Sequence, residues 1–131
     1  MIVLDTHAWI WYIDCPDRLG AQAREAIEAA REQGAVHISA ISTWEVYMLV
    51  AKGRLSLRLA AEVWVARCER LSFLRFDAVD NDIARLAAQA CGAMHADPAD
   101  RIIVATALYL GCPVATCDAK IQDCGLISAV W

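Results

Sequence analysis

The chain has 131 residues, of which 59% are hydrophobic and 21% charged, with a formal net charge of −4. That length suits one domain, residues 1–131, with a real buried core, and the composition excludes a disordered chain. The acidic balance gives no support to nucleic-acid binding through bulk charge, so such a partner requires a local basic patch or bound cations.

In chain order, MIVLD (1–5) is a short apolar run that ends on an acid, as expected of a buried strand carrying Asp5 at its tip. THAWIWYID (6–14) reads as a brief helix, CPDRLG (15–20) as turn chemistry, and AQAREAIEAAREQ (21–33) as a helix closed by Gly34. AVHIS (35–39) is a second strand. Ser42 and Glu45 then have the spacing of a capping box, which predicts a helix from Ser42 that closes at Gly53. A further amphipathic helix is expected over 56–71 and a third strand over 73–79. Asp80 is placed to cap a helix over 81–92. Asp97, Pro98 and Asp100 suit the N-cap, first and third positions of a helix running to about Leu110. PVATCD (113–118) gives a fourth strand, also ending on an acid, and LISAVW (126–131) a short fifth. Strands alternating with helices predict an α/β domain with a mostly parallel sheet of four to five strands covered on both faces.

Residues 102–117 are the longest uncharged run, but Gly111 and Pro113 interrupt it, so it is too short to span a bilayer. Residues 1–13 are apolar, yet Asp5 interrupts them and no basic segment precedes them. This argues against a signal peptide, and a cytoplasmic setting without membrane partners is expected. The six cysteines contain no Cys-x-x-Cys pair, which favours buried free thiols over a zinc or redox site.

Ligands gather outside the carboxyl ends of the strands in open parallel sheets. Asp5 and Asp118 end strands, while Glu45 and Asp100 are expected in first turns of helices opening onto the same edge. Clustered anions of this kind repel one another unless cations neutralise them. Hard divalent ions such as Mg²⁺ or Mn²⁺ prefer such oxygen ligands, and a pair of them supports phosphodiester hydrolysis. Asp97 and Asp100 are also good helix-start residues, and one carboxylate can serve both ends.

The ordered set MIVLDTHAW, ISTWEVYMLVAKGRL, HADPADRIIVATAL and VATCDAKI resembles the PIN domain, and most of all the VapC-type toxin ribonucleases of toxin–antitoxin pairs. The resemblance implies a three-layer α/β/α sandwich and a Mg²⁺- or Mn²⁺-dependent endoribonuclease site. By position it assigns the catalytic and metal-binding acids to Asp5, Glu45, Asp100 and Asp118, with Thr6, Asp97 and Thr116 in supporting roles. It also implies an RNA substrate, a small cognate antitoxin that blocks the site, and a homodimer. The competing readings are a PIN-like nuclease acting on DNA and a non-cleaving scaffold for RNA or protein.

Among the remaining residues, Arg101 is read as the partner of a neighbouring acid or of an RNA phosphate, with the structural ion pair favoured, and His7 and His95 are not required as ligands. Trp9, Trp11, Trp44, Tyr47 and Trp64 are expected mostly in the core. Those on the first helix and on the 42–52 helix have a second option, an apolar surface for a partner. Lys52, Arg54 and Arg58 form the one local basic cluster, suited to RNA phosphates or to a solvated helix end.

Overall fold

Short strands of β-branched and aliphatic residues need both faces covered, and the chain supplies helices on each side. The computed structural model describes residues 1–94 and 96–131. The strands are β1 (Ile2–Leu4), β2 (Val36–Ser39), β3 (Leu74–Asp77), β4 (Val114–Ala115) and β5 (Ala129–Val130). The helices are α1 (Thr6–Asp14), α2 (Ala21–Glu32), α3 (Ala40–Ala51), α4 (Ala61–Glu69), α5 (Asn81–Gln89), α6 (Pro98–Leu110) and α7 (Ala119–Gln122). The sheet order is β3-β2-β1-β4-β5 and every pairing is parallel.

Alternation along β1 divides the interior in two. Ile2 and Leu4 face a core built with Trp9, Ile27, Val46 and Trp64, and Val3 faces a second core with Ile83, Ile103, Val104 and Ile121. The three-layer sandwich expected from the sequence is therefore present. Its sheet is wholly rather than mostly parallel.

Several local expectations are corrected. The chain turns into α3 directly after β2, with Ser39 as N-cap in extended conformation, so the helix begins at Ala40 rather than Ser42. No Ser42–Glu45 capping box forms: Ser42 lies inside the helix, and its Oγ is buried without a hydrogen-bond partner among the described residues. In the segment expected to be helical from residue 56, helix starts only at Ala61. Leu55 and Leu57 instead pack against the first core at a two-residue spacing that a helix cannot present on one face. The strands at 73–79, 113–118 and 126–131 are also shorter than expected.

Gly20, the N-cap of α2, lies against Trp131, where an added Cβ would stand 2.3 Å from the backbone carbonyl carbon. Gly20→Ala must therefore push the β5 end away from α2. A loss of about 1–3 kcal/mol is expected, to be read from denaturant unfolding.

Candidate active site

The strand order reverses direction between β1 and β4: the chain builds outward from β1 to β2 and β3, then crosses to the other side. A crevice is expected at the carboxyl ends of the strands flanking such a reversal. A cleft of about 350 Å³ lies there, lined by Asp5, Thr6, His7, Trp11, Glu45, Asp97, Asp100, Ile103, Cys117 and Asp118. The four acids from distant parts of the sequence thus meet in one cleft.

Each acid is positioned by local structure. Asp5 leaves β1, its backbone N–H donates to Ala115 O on β4, and its carboxylate caps α1 by accepting from the Ala8 N–H at 2.6 Å. Asp118 caps α7, accepting from the Lys120 N–H at 2.8 Å. Asp97 caps α6, accepting from the Ala99 N–H at 2.9 Å, and Pro98 takes the first helical position, as read from the sequence. Asp100 follows in the first turn of α6, at the positive end of its dipole. Glu45 departs from expectation, because the earlier start of α3 puts it in the second turn rather than the first.

The two threonines are part of this arrangement. Thr6 Oγ1 donates to Glu45 Oε1 at 2.5 Å, tying α1 to α3. Thr116 is fully buried just beyond β4; its hydroxyl hydrogen-bonds the Asp5 carboxyl, and its Oγ1 accepts from the Asp118 N–H at 3.0 Å. One side chain therefore links the acids at the ends of β1 and β4.

The electrostatics follow from crowding. Asp5 is only 6% exposed, and burial pushes its carboxyl above the ordinary range. Hydrogen bonds from Thr116 and Ala8 and the nearby His7 oppose that rise, while the charge of Asp100 adds to it. Glu45 is likewise raised, first by burial; the Thr6 hydroxyl opposes the rise, and Asp100, Asp97 and Asp5 add to it. The buried Asp5 and the half-buried Glu45 thus both give up their protons less readily than a free carboxyl, and a nearby positive charge would oppose that shift.

A hard divalent cation matches this donor set, since every first-choice ligand is a carboxylate oxygen and the crowded charges need neutralising. Among the described residues, no group of three or more His, Cys, Asp or Glu side chains stands in ligating arrangement. The residues available to hold an ion are Asp5, Glu45, Asp100 and Asp118.

Several cleft residues were not assigned to the site from the sequence. His7 and Trp11 are four apart on α1 and share the face that looks into the cleft, a spacing that was legible. The Arg18 guanidinium lies 4.4 Å from the Trp11 ring centroid, adding a cation near this acidic opening. Cys117, exposed between Thr116 and Asp118, also lines the cleft. His95 lies outside the described residues.

Elsewhere, Arg101 donates to the carbonyls of Gly92 and Met94 at 3.2 and 2.8 Å, a structural role met by backbone oxygens. All the cysteines are free, but only Cys68 and Cys91 are buried, while Cys15 and Cys117 are exposed. The expectation of buried thiols therefore holds for a minority of them. Among the described residues no helix is long and apolar enough to cross a membrane.

These features define a member of the PIN-domain family: the family model matches residues 2–125, and the chain belongs to it. Among its relatives is Ribonuclease VapC22 of Mycobacterium tuberculosis (strain ATCC 25618 / H37Rv), 30% identical over 122 residues that cover 93% of this chain and 90% of that protein. FitAcB from Neisseria gonorrhoeae superposes with a TM-score of 0.65 at 26% identity, covering 100% of this chain and 97% of the other. The DNA-bound VapBC from Salmonella typhimurium gives a TM-score of 0.66 at 24% identity over 98% of this chain and 96% of that one, a likeness of fold. The resemblance to VapC-type PIN domains drawn from the ordered motifs is borne out.

Proposed function

We propose that this chain, acting as one domain over residues 1–131, is a metal-dependent endoribonuclease toxin held in check by a small cognate antitoxin. The observation that carries the reading is the meeting of Asp5, Glu45, Asp100 and Asp118 in one cleft, where the buried Asp5 and the half-buried Glu45 have raised pKa values. The relative named a ribonuclease supports the substrate class. A neighbour described as a toxin–antitoxin complex from Klebsiella pneumoniae supports the fold in which such a pair works. A homodimer in the cytoplasm completes the proposal.

One or two Mg²⁺ or Mn²⁺ ions held by the four acids would supply an activated water and stabilisation of the departing oxygen in phosphodiester hydrolysis. The chain's own residues do the rest. Thr116 holds Asp5 and Thr6 holds Glu45, each donating to the carboxylate and so favouring its ionised form. The N-terminus of α6, at Asp97 and Asp100, favours negative charge at the same edge. Arg18 provides positive charge near a cleft otherwise hostile to a phosphate backbone.

The test compares antitoxin-free wild type with Asp100→Asn in Mn²⁺-dependent cleavage of a mixed RNA panel, with both melting temperatures recorded. Asparagine keeps a polar acceptor in the first turn of α6 but lacks the charge that a metal ligand needs. The proposal expects cleavage by wild type, and loss of at least about a hundredfold in the variant at nearly unchanged melting. Equal cleavage by the two proteins returns Asp100 to the role of a helix-start residue and defeats the four-acid site. A wild type that binds RNA without cutting favours the scaffold reading, and cutting confined to DNA favours the other nuclease.

A further inference from the structure

A second hollow, of about 460 Å³, adjoins the acidic cleft, and the two share Glu45 and Asp97 in their walls. The rest of its lining is apolar: Ile41, Trp44 and Met48 from α3, with Pro98 and Ala99 from the start of α6. Trp44 is 57% exposed, whereas Trp9 and Trp64 are 0% and 2% exposed in the core. The core rings pair with each other, Trp9 with Trp64 and Phe76. Among the described residues Trp44 makes no such ring contact. A large indole is thus left in the open one residue before an acid of the cleft.

We propose that this hollow is a nucleobase subsite, in which an unpaired base of the RNA, flanking the phosphate under attack, stacks on Trp44. The inference rests on the ribonuclease reading above and deepens it by naming the form of the substrate. Three features favour a base over the other parts of a nucleotide. Carboxylates at the shared wall repel a phosphate but tolerate a neutral ring. An apolar lining gives the sugar hydroxyls little to bond with. An exposed tryptophan face is the usual platform for a base, and stacking is indifferent to base identity because every base has a π-face. A base in this hollow has left its own stack and its pairing partner, so the substrate is single-stranded RNA or a loop. Because Glu45 lies beside Trp44 on the same helix, stacking also fixes where the adjoining phosphate falls relative to the acids.

The test uses wild type, Trp44→Ala and Trp44→Phe with a single-stranded RNA that has one cleavage point, its duplex form, and versions with an abasic nucleotide on either side of that point. The expected result is a KM raised about tenfold in Trp44→Ala, mostly restored in Trp44→Phe, with kcat of the same order. One abasic substitution costs wild type a similar factor and costs Trp44→Ala nothing further, and the duplex is cut poorly by all three proteins. An unchanged KM, or abasic and Trp44→Ala penalties that simply multiply, overturns the subsite. So does a fall in solution mass for Trp44→Ala, which would mark the hollow as a contact between subunits. To separate this from the nuclease reading, binding of the same RNAs is measured in an Asp100→Asn background. Weaker binding there by Trp44→Ala supports the subsite even without turnover, and equal binding rejects it.

Discussion

Asp5→Asn is expected to abolish RNA cleavage while making the metal-free protein more stable. The two effects have one origin. Asp5 is buried at the end of β1 with its carboxyl pushed up by burial and by Asp100, so its ionised form is held at a cost in the absence of a cation. Asparagine keeps the hydrogen bonds: its Oδ1 can accept from the Ala8 N–H as N-cap, and its amide can donate to Thr116 Oγ1. What it removes is the charge. In chelator at pH 7.5 the variant should melt higher than wild type, and its cleavage should fall by more than the 10- to 100-fold typical of losing an outer-sphere partner. Thermal melts in chelator and in Mn²⁺, run beside the cleavage assay, check both halves. A variant less stable than wild type in chelator would mean that the buried carboxylate is not under charge strain.

The second large effect links pH to the metal. Asp5 and Glu45 have folded pKa values above their ordinary values of 3.8 and 4.5, so at pH just above that range the native state binds more protons than the unfolded chain. Where the native state binds more protons, stability falls as pH rises. The contribution from these two groups is therefore fully present below their unfolded pKa values and is lost as pH climbs through the folded ones. Divalent ions select the deprotonated carboxylates, so they release protons on binding and stabilise more as pH rises. At a hundredfold excess over the dissociation constant the gain is about 2.7 kcal/mol. Mg²⁺ or Mn²⁺ should raise the melting temperature more at pH 8 than at pH 5.5, and Asp5→Asn should blunt that difference. A metal effect independent of pH would contradict ion binding at these carboxyls.

Much of this site could be read from sequence because its parts sit at element boundaries, where composition is most explicit. Asp5 after an apolar run, Asp97-Pro98 before an amphipathic one, and Asp80 ahead of α5 all carry their positions in residue type alone. The start of α3 was less legible. Ser39 and Ser42 are both acceptable helix-start residues, and only the direct passage from β2 into the helix decides for Ser39. The segment before α4 was misread for a different reason: Leu55, Leu57 and Leu59 alternate, but helix formers around them obscure the two-residue period. Thr6 and Thr116 were visible as candidates. Their partners, Glu45 and Asp5, depend on contacts between segments far apart in sequence, which no local pattern records. Trp11 and Arg18, only seven residues apart, meet because the turn after α1 folds Arg18 back over the indole.

The crossover that places β4 beside β1 also sets a timetable. Val3 pairs with Val114, so the strand that ends at Asp5 waits for more than a hundred further residues before its partner exists. Contacts so distant in sequence are slow to form and late to appear on a chain made from its N-terminus. Asp5 and Glu45 can come together early, but Thr116 and Asp118 arrive only with the final quarter of the chain. A chain stopped short of β4 holds three of the four acids but lacks Asp118 and the threonine link between strand ends. For a protein whose proposed activity endangers the cell that makes it, this order of synthesis leaves the proposed site incomplete until β4 has been made.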